Sequence, residues 1–278
     1  MNEEVQEEDI AKKKVVYQVP DMDDVTIRLD VEYHRTEDGV QMMDLYSPAE
    51  AKSGARLPAV VFVSGYPDAG MQKMLGCKLK EMGSYISWAK LTAATGIVAV
   101  TYSATEPVGD LQSVLRFVRQ NAAELGIDET RMGVWACSGN VPNALSVLMK
   151  EDAGYLKCAV FLYGLMLDLD GSTSVAQAQQ MFGFANPTVG KTVDDLPAEL
   201  PLFIARAGLD NPSLNETIDR FLVKAVSRNL AVTFVNHHSA PHFFDVMHDS
   251  ETSRQIIRQI LDFMQFHLLE QAIHNESS

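Results

Sequence analysis

The sequence predicts an α/β fold, a mostly parallel sheet with helices on both faces. Three observations predict it. Several short runs are continuously apolar and rich in β-branched or aromatic residues, the pattern of strands buried on both faces. Amphipathic helical stretches alternate with those runs. One strand-like run also passes into a helix through a tight set of small residues, Ala136-Cys137-Ser138-Gly139-Asn140.

Residues 1–24 are expected to be a flexible lead-in, charged throughout as far as Lys14, and residues 25–278 a single domain. Val25–Tyr33 alternates in the manner of a strand, and a turn at Glu37-Asp38-Gly39 leads to Val40–Tyr46, so the pair reads as a hairpin. Pro58–Val63 is the first doubly buried strand. Ser84–Thr95 follows as a helix, then the strand Ile97–Tyr102. Leu111, Val114, Leu115, Val118 and Ala122 recur at helical spacing. Met132–Ala136 is a strand, and Gly139–Lys150 is a helix with Pro142 in its first turn, where a missing N–H costs little. Lys157–Tyr163 and Pro201–Arg206 are further core strands. The connection between them, 165–200, is too long for a simple loop. It holds Met166, Met181, Phe182 and Phe184 and is expected to be a helix-containing cap over the site. The helix Leu214–Arg228, the strand Ala231–Val235 and the helix Glu251–Ala272 complete the chain.

Composition narrows the function. The 278 residues carry a formal charge of −14, which disfavours partners such as nucleic acid or an anionic membrane surface. The longest apolar run, Cys158–Leu167, has ten residues, against roughly 18 for a membrane span. Met1–Lys14 lacks the apolar core of a signal peptide. Three cysteines, Cys77, Cys137 and Cys158, imply no disulfide framework and fit a reducing, cytoplasmic setting. No metal-ligand spacing and no Gly-rich phosphate loop is present, so neither a metal nor a cofactor is expected. The expected partner is a small-molecule substrate.

In parallel sheets chemistry collects at the carboxyl ends of the strands. The turn at 136–140 reads as a nucleophile elbow centred on Ser138, with Ala136 two residues before it. Asn140, two residues after, stands where a glycine is usual, and asparagine tolerates unusual backbone angles better than most residues. Cys137 is the alternative centre, but Trp135 would then occupy the crowded position two before it. Asp210 lies on the loop after Pro201–Arg206 and is the expected acid; Asp168, Asp170 and Glu216 compete. His242 lies on the loop after the last strand and is the expected base; His237 and His238 abut that strand and compete. His34, His248, His267 and His274 read as surface or helix-face residues. The order serine, acid, histidine is that of the α/β-hydrolases. In that scheme His242 takes the Ser138 proton and Asp210 holds the imidazole in the right tautomer. The oxyanion donors are the backbone N–H groups of Gly139 and Tyr66, since Pro67 has none. Tyr66, Cys137, Met181, Phe182 and Phe243 are expected to line the substrate pocket.

Five stretches carry a family resemblance. They are Asp44–Pro48, Ala59–Asp68, Arg131–Gly139, Arg206–Asp210 and Ala240–Asp245. Through them the chain resembles the α/β-hydrolase superfamily, and within it the dienelactone-hydrolase-like carboxylesterases. The resemblance implies an eight-stranded, mostly parallel sheet and ester hydrolysis through an acyl-enzyme on the same three residues. The chain departs from the family pattern at three places. Ser64-Gly65 replaces the common His-Gly, Ala136 and Asn140 replace the outer glycines of the elbow, and Phe243-Phe244 replaces Gly-Phe after the base. Dienelactone hydrolases proper use a cysteine nucleophile, which keeps Cys137 as an alternative. The expected activity is a serine carboxylesterase acting on small esters. A thioesterase, a lactonase, a dienelactone-type or small-peptide hydrolase, and a catalytically silent ligand-binding protein are the alternatives.

Overall fold

The apolar runs of the sequence become the strands of one eight-stranded sheet. The computed structural model describes residues 9–36, 39–50, 54–150 and 152–270. The strands are β1 (Thr26–Thr36), β2 (Gly39–Ser47), β3 (Leu57–Phe62), β4 (Val98–Tyr102), β5 (Ile127–Cys137), β6 (Leu156–Leu162), β7 (Leu202–Ala207) and β8 (Val232–His237). Their order across the sheet is β1-β2-β4-β3-β5-β6-β7-β8. Strand β2 pairs antiparallel with both β1 and β4, and every other pairing is parallel. The expected hairpin is present, with Thr36 paired to Gly39; Glu37 and Asp38 of its turn lie outside the described residues.

Two apolar layers enclose the sheet, because successive side chains of a strand point to opposite faces. On one face Ala59, Val61, Met132, Val134 and Ala136 pack with Leu111, Val114, Leu145 and Ile218. These last four come from α3 (Pro107–Gln120), α5 (Val141–Leu148) and α7 (Pro212–Ser227). On the other face Val60, Phe62, Trp135 and Cys137 pack with Trp88, Ile256, Ile257 and Ile260, from α2 (Gly83–Ala94) and α9 (Glu251–Gln265). The side facing of Cys137 therefore follows from the pleat.

The structure differs from the sequence expectations at four places. First, α1 (Asp68–Leu75) follows β3 directly and was not anticipated; it buries Met71 alone, too little for an apolar stripe. Second, the helix expected to run through Ala122 breaks at Asn121, whose side-chain amide donates to the Phe117 carbonyl, and a separate turn, α4 (Ala122–Leu125), follows. Third, the last helix widens into a π turn at Phe266–Glu270; Gln271 and Ala272 lie outside the described residues. Fourth, residues 9–24 are seated on the core, whereas they were expected within a flexible lead-in. Val15 is 1% exposed and its N–H donates to Ser87 Oγ (3.0 Å), while Met22 is buried. The apolar residues of this stretch follow neither a helical nor a strand period, yet Val15 and Met22 join the core layer that holds α2.

One buried charge cluster ties the antiparallel edge to the core. Lys80, 7% exposed, donates to both oxygens of Asp44 on β2 (2.9 Å each) and to Asp30 (3.0 Å). The Asp44 side chain is 5% exposed. Removing the cation would strand a buried carboxylate, which typically costs about 3–5 kcal/mol. Lys80→Met is therefore expected to lower unfolding free energy in urea by that order. Adding Asp44→Asn should recover part of the loss.

Candidate active site

Strand β5 ends at Cys137 and the chain turns at once into a helical segment, a 3-10 turn at Ser138–Asn140 that continues as α5. Such a reversal forces Ser138 to φ +54°, a left-handed conformation costly for a residue with a Cβ. It is sustained by close packing. A Cβ on Gly139 would lie 2.3 Å from Tyr66 Oη, and one on Gly164 would lie 2.5 Å from Val141 Cγ2. Asn140 itself is right-handed, with φ −82° and ψ −17°. Its place in the turn thus needs no unusual backbone, contrary to the sequence expectation.

The structure brings Ser138, His242 and Asp210 into one hydrogen-bonded chain. His242 Nδ1 meets Asp210 Oδ2 at 2.6 Å, and His242 Nε2 meets Ser138 Oγ at 3.1 Å. An ionised carboxylate can only accept, so Nδ1 carries the proton and Nε2 is left to accept from the serine hydroxyl. The Asp210 side chain is 5% exposed and its second oxygen accepts the Asn211 N–H at 2.7 Å. The loops that carry Asp210 and His242 are tied to each other by main-chain bonds, Leu209 N–H to Ala240 O (2.9 Å) and Gly208 N–H to His237 O (2.9 Å). A Cβ on Gly208 would lie 2.3 Å from His238 O, so the approach of these loops needs glycine there.

The competing residues are occupied elsewhere. Asp168 accepts the Val175 and Ala176 N–H groups at the start of α6 (Ser174–Phe182). Asp170 pairs with Lys224 and Glu216 with Arg220. His237 is buried against Ser253 (3.1 Å), and His238 is exposed. Cys137 is 3% exposed on the far face of the sheet, and burial pushes its thiol up to about 12. That leaves little thiolate at neutral pH.

The loop after β3 is pinned at almost every polar atom. Ser64 N–H donates to Tyr102 Oη (3.1 Å), and Ser64 O accepts from Asn143 Nδ2 (2.8 Å). Gly65 N–H donates to Asn140 Oδ1 (2.7 Å), and Gly65 O accepts the Ala185 N–H (2.7 Å). Tyr66 O accepts from Ser64 Oγ (3.0 Å). Pro67 has no N–H, so Tyr66 has the one loop amide without an acceptor in the described structure.

A cavity of about 330 Å³ opens at this point. Ser138, His242, Asp210 and Tyr66 line it, together with Leu165, Leu214 and the α6 residues Ala178, Met181 and Phe182. Of the expected pocket residues, Tyr66, Met181 and Phe182 are there. Cys137 and Phe243 are not. Cys137 faces the opposite layer. Phe243, at φ +62°, turns its ring onto Tyr163, with centroids 5.6 Å apart, and so leaves the cavity. The expected cap segment supplies α6, which forms one wall; Met166 and Phe184 from the same segment are core residues.

Sequence reasoning missed three supporting residues: Asn143, Tyr163 and Asp245. Asp245, 1% exposed, accepts from Trp88 Nε1 and Tyr163 Oη (2.7 Å each). Burial pushes its carboxyl up against the pull of these two donors. The Tyr163 ring in turn stands edge-on to His242 at 4.6 Å. The only sequence signal was Asp245 itself, a charge set between Phe244 and Val246.

No protein-family model matches the chain, and no curated protein matches it. Solved structures do. The native esterase 2 of the Planctomycetes species Thermogutta terrifontis superposes with a TM-score of 0.65 at 19% identity, covering 89% of this chain and 93% of that one. That enzyme has also been solved phosphoramylated by tabun and with propionate bound. The hyperthermophilic esterase of the archaeon Pyrobaculum calidifontis gives 0.65 at 20% identity, with 86% and 85% covered. Esterase Est22 gives 0.65 at 18%, with 86% and 80% covered. Together with the strand order, these likenesses show that the chain has the α/β-hydrolase fold.

Proposed function

We propose that this protein is a serine hydrolase that cleaves small carboxylic esters through an acyl-enzyme on Ser138. The observation that carries the proposal is the chain from Ser138 Oγ through His242 to Asp210 at the mouth of a cavity. His242 Nε2 removes the Ser138 proton as Oγ attacks the ester carbonyl, and Asp210 stabilises the imidazolium that forms. The carbonyl oxygen becomes an oxyanion, with the Tyr66 and Gly139 N–H groups as its donors. The C–O bond to the alcohol breaks as His242 protonates the leaving oxygen. Water, deprotonated by His242, then attacks the acyl-serine; the acyl–Oγ bond breaks as His242 returns the proton to Ser138 Oγ, and the carboxylic acid leaves and ionises in solution.

The cavity suits a short acyl chain or a small alcohol, being at the lower end of the usual pocket range. Its wall of Leu165, Ala178, Met181, Phe182 and Leu214 is apolar and has no cationic residue to attract an anionic substrate. The likeness to esterase structures supports an ester over the thioester, lactone and peptide alternatives. The narrower dienelactone-hydrolase-like affiliation rests on the five sequence stretches alone. A reducing, cytoplasmic setting is proposed from the free cysteines; no helix among the described residues is long and apolar enough to cross a membrane.

Hydrolysis of p-nitrophenyl butyrate is the direct test. Ser138→Ala and His242→Ala should each lower kcat by about 10⁴-fold or more, while Cys137→Ala stays active. Folded wild type without turnover on acetate, butyrate or octanoate esters would defeat the proposal and favour a silent binding protein. Gly65→Ala introduces a Cβ 2.8 Å from Asn140 Cα and from Gly139 O, which must push the loop off the elbow. Turnover should fall about 100- to 1,000-fold, the usual cost of one oxyanion donor. Phe182→Ala removes part of the α6 wall. The ratio of kcat/KM for octanoate over acetate should rise about tenfold, the low end of what one methylene of pocket contact is worth.

A further inference from the structure

We infer that Asn140 is a positioning residue for the oxyanion, fixing the loop that presents the Tyr66 N–H. The inference deepens the serine-hydrolase proposal and rests on it. Asn140 is 3% exposed and its carboxamide is fully engaged. Nδ2 donates to Cys137 O (3.0 Å) and to Tyr85 Oη (3.0 Å), and Oδ1 accepts from Gly65 N–H (2.7 Å). The orientation of the amide follows from its partners. Cys137 O can only accept and Gly65 N–H can only donate, so a flipped amide would lose both bonds. Tyr85 is held in turn, its hydroxyl 3.3 Å from Val63 O.

The consequence is geometric. Gly65 is the residue before Tyr66, so the plane of the Gly65–Tyr66 peptide, and the direction of the Tyr66 N–H, depend on where Gly65 sits. Ala185 holds the far side of the same residue through Gly65 O. Asn140 holds the near side directly to the elbow that carries Ser138. The nucleophile and the loop donor are thereby fixed to one another by a single side chain. A glycine at this position would leave the Gly65 N–H without its acceptor and the loop without that link.

Asn140 has right-handed helical backbone angles that alanine adopts without strain, so Asn140→Ala removes the carboxamide with little else. Asn140→Gly and Asn140→Ser provide further folded variants. The experiment compares kcat and KM for p-nitrophenyl butyrate, and inhibition by a trifluoromethyl ketone and by butyrate. The ketone forms a tetrahedral oxyanion on serine, and butyrate does not. All three variants should lose about 10- to 100-fold in kcat with KM within about threefold, the cost of a donor misplaced by about 1 Å. Ketone affinity should fall by the same factor, with butyrate affinity unchanged. Folded variants whose kcat and ketone affinity stay within about threefold of wild type would overturn the inference. So would a parallel fall in ketone and butyrate affinity, which marks general loosening of the site. Labelling of wild-type Ser138 by a fluorophosphonate separates the two levels. Without it the serine-hydrolase proposal fails and takes this inference with it; with it, only the role of Asn140 is at stake.

Discussion

Ser138 is held at φ +54° between a central strand and a helix, and the surrounding architecture follows from keeping it there. A left-handed residue with a Cβ is unstable by itself and persists only where packing determines it from several sides. Here the space on each side is closed. Gly139 lies under the Tyr66 ring, Gly65 lies against the elbow main chain, and Gly164 lies against Val141. Added atoms at any of these would open the turn. The hydroxyl that results stands at the end of β5, within reach of groups delivered by the loops after β3, β7 and β8.

Behind the turn the protein uses buried polar groups as rigid supports. Asn140, Tyr85 and Cys137 connect the elbow to the loop after β3. Asp245, Trp88 and Tyr163 support the His242 loop from the opposite layer. Both sets are well satisfied, which is what makes buried polarity tolerable. Asp245 is the costlier case, a buried carboxyl whose two hydrogen-bonding side chains are neutral. Its bonds hold Tyr163 beneath the His242 ring. In a site where small displacements are expensive, such fixed surroundings are the physical route to a serine and histidine in register.

The misread parts of the chain share a cause. Residues 9–24 bury Ala11, Val15 and Met22 at irregular spacing and α1 buries Met71, and neither set makes a periodic apolar stripe. Cys137 and Phe243 adjoin Ser138 and His242 in sequence but point elsewhere in space. For Cys137 the strand pleat sends it to the far layer. For Phe243 a left-handed backbone turns its ring onto Tyr163. Adjacency along the chain is a poor guide to adjacency in a pocket wherever the backbone reverses.

What the sequence by itself determined was the sheet and the identities at its strand ends. Eight runs of apolar or alternating residues correspond to eight strands, because burial on one or both faces writes a local pattern. The convergence of Ser138, Asp210 and His242 was legible too, since each sits just past a strand and their chain order is informative. Tertiary structure alone decided that the Asn140 side chain bonds the loop after β3, and that Asp245 and Tyr163 stand behind His242. The physical reason is separation. Gly65 and Asn140 are 75 residues apart, and Tyr163 and Asp245 are 82 apart. A hydrogen bond at such range leaves no periodic trace in the chain; it exists only once the sheet has brought its partners together.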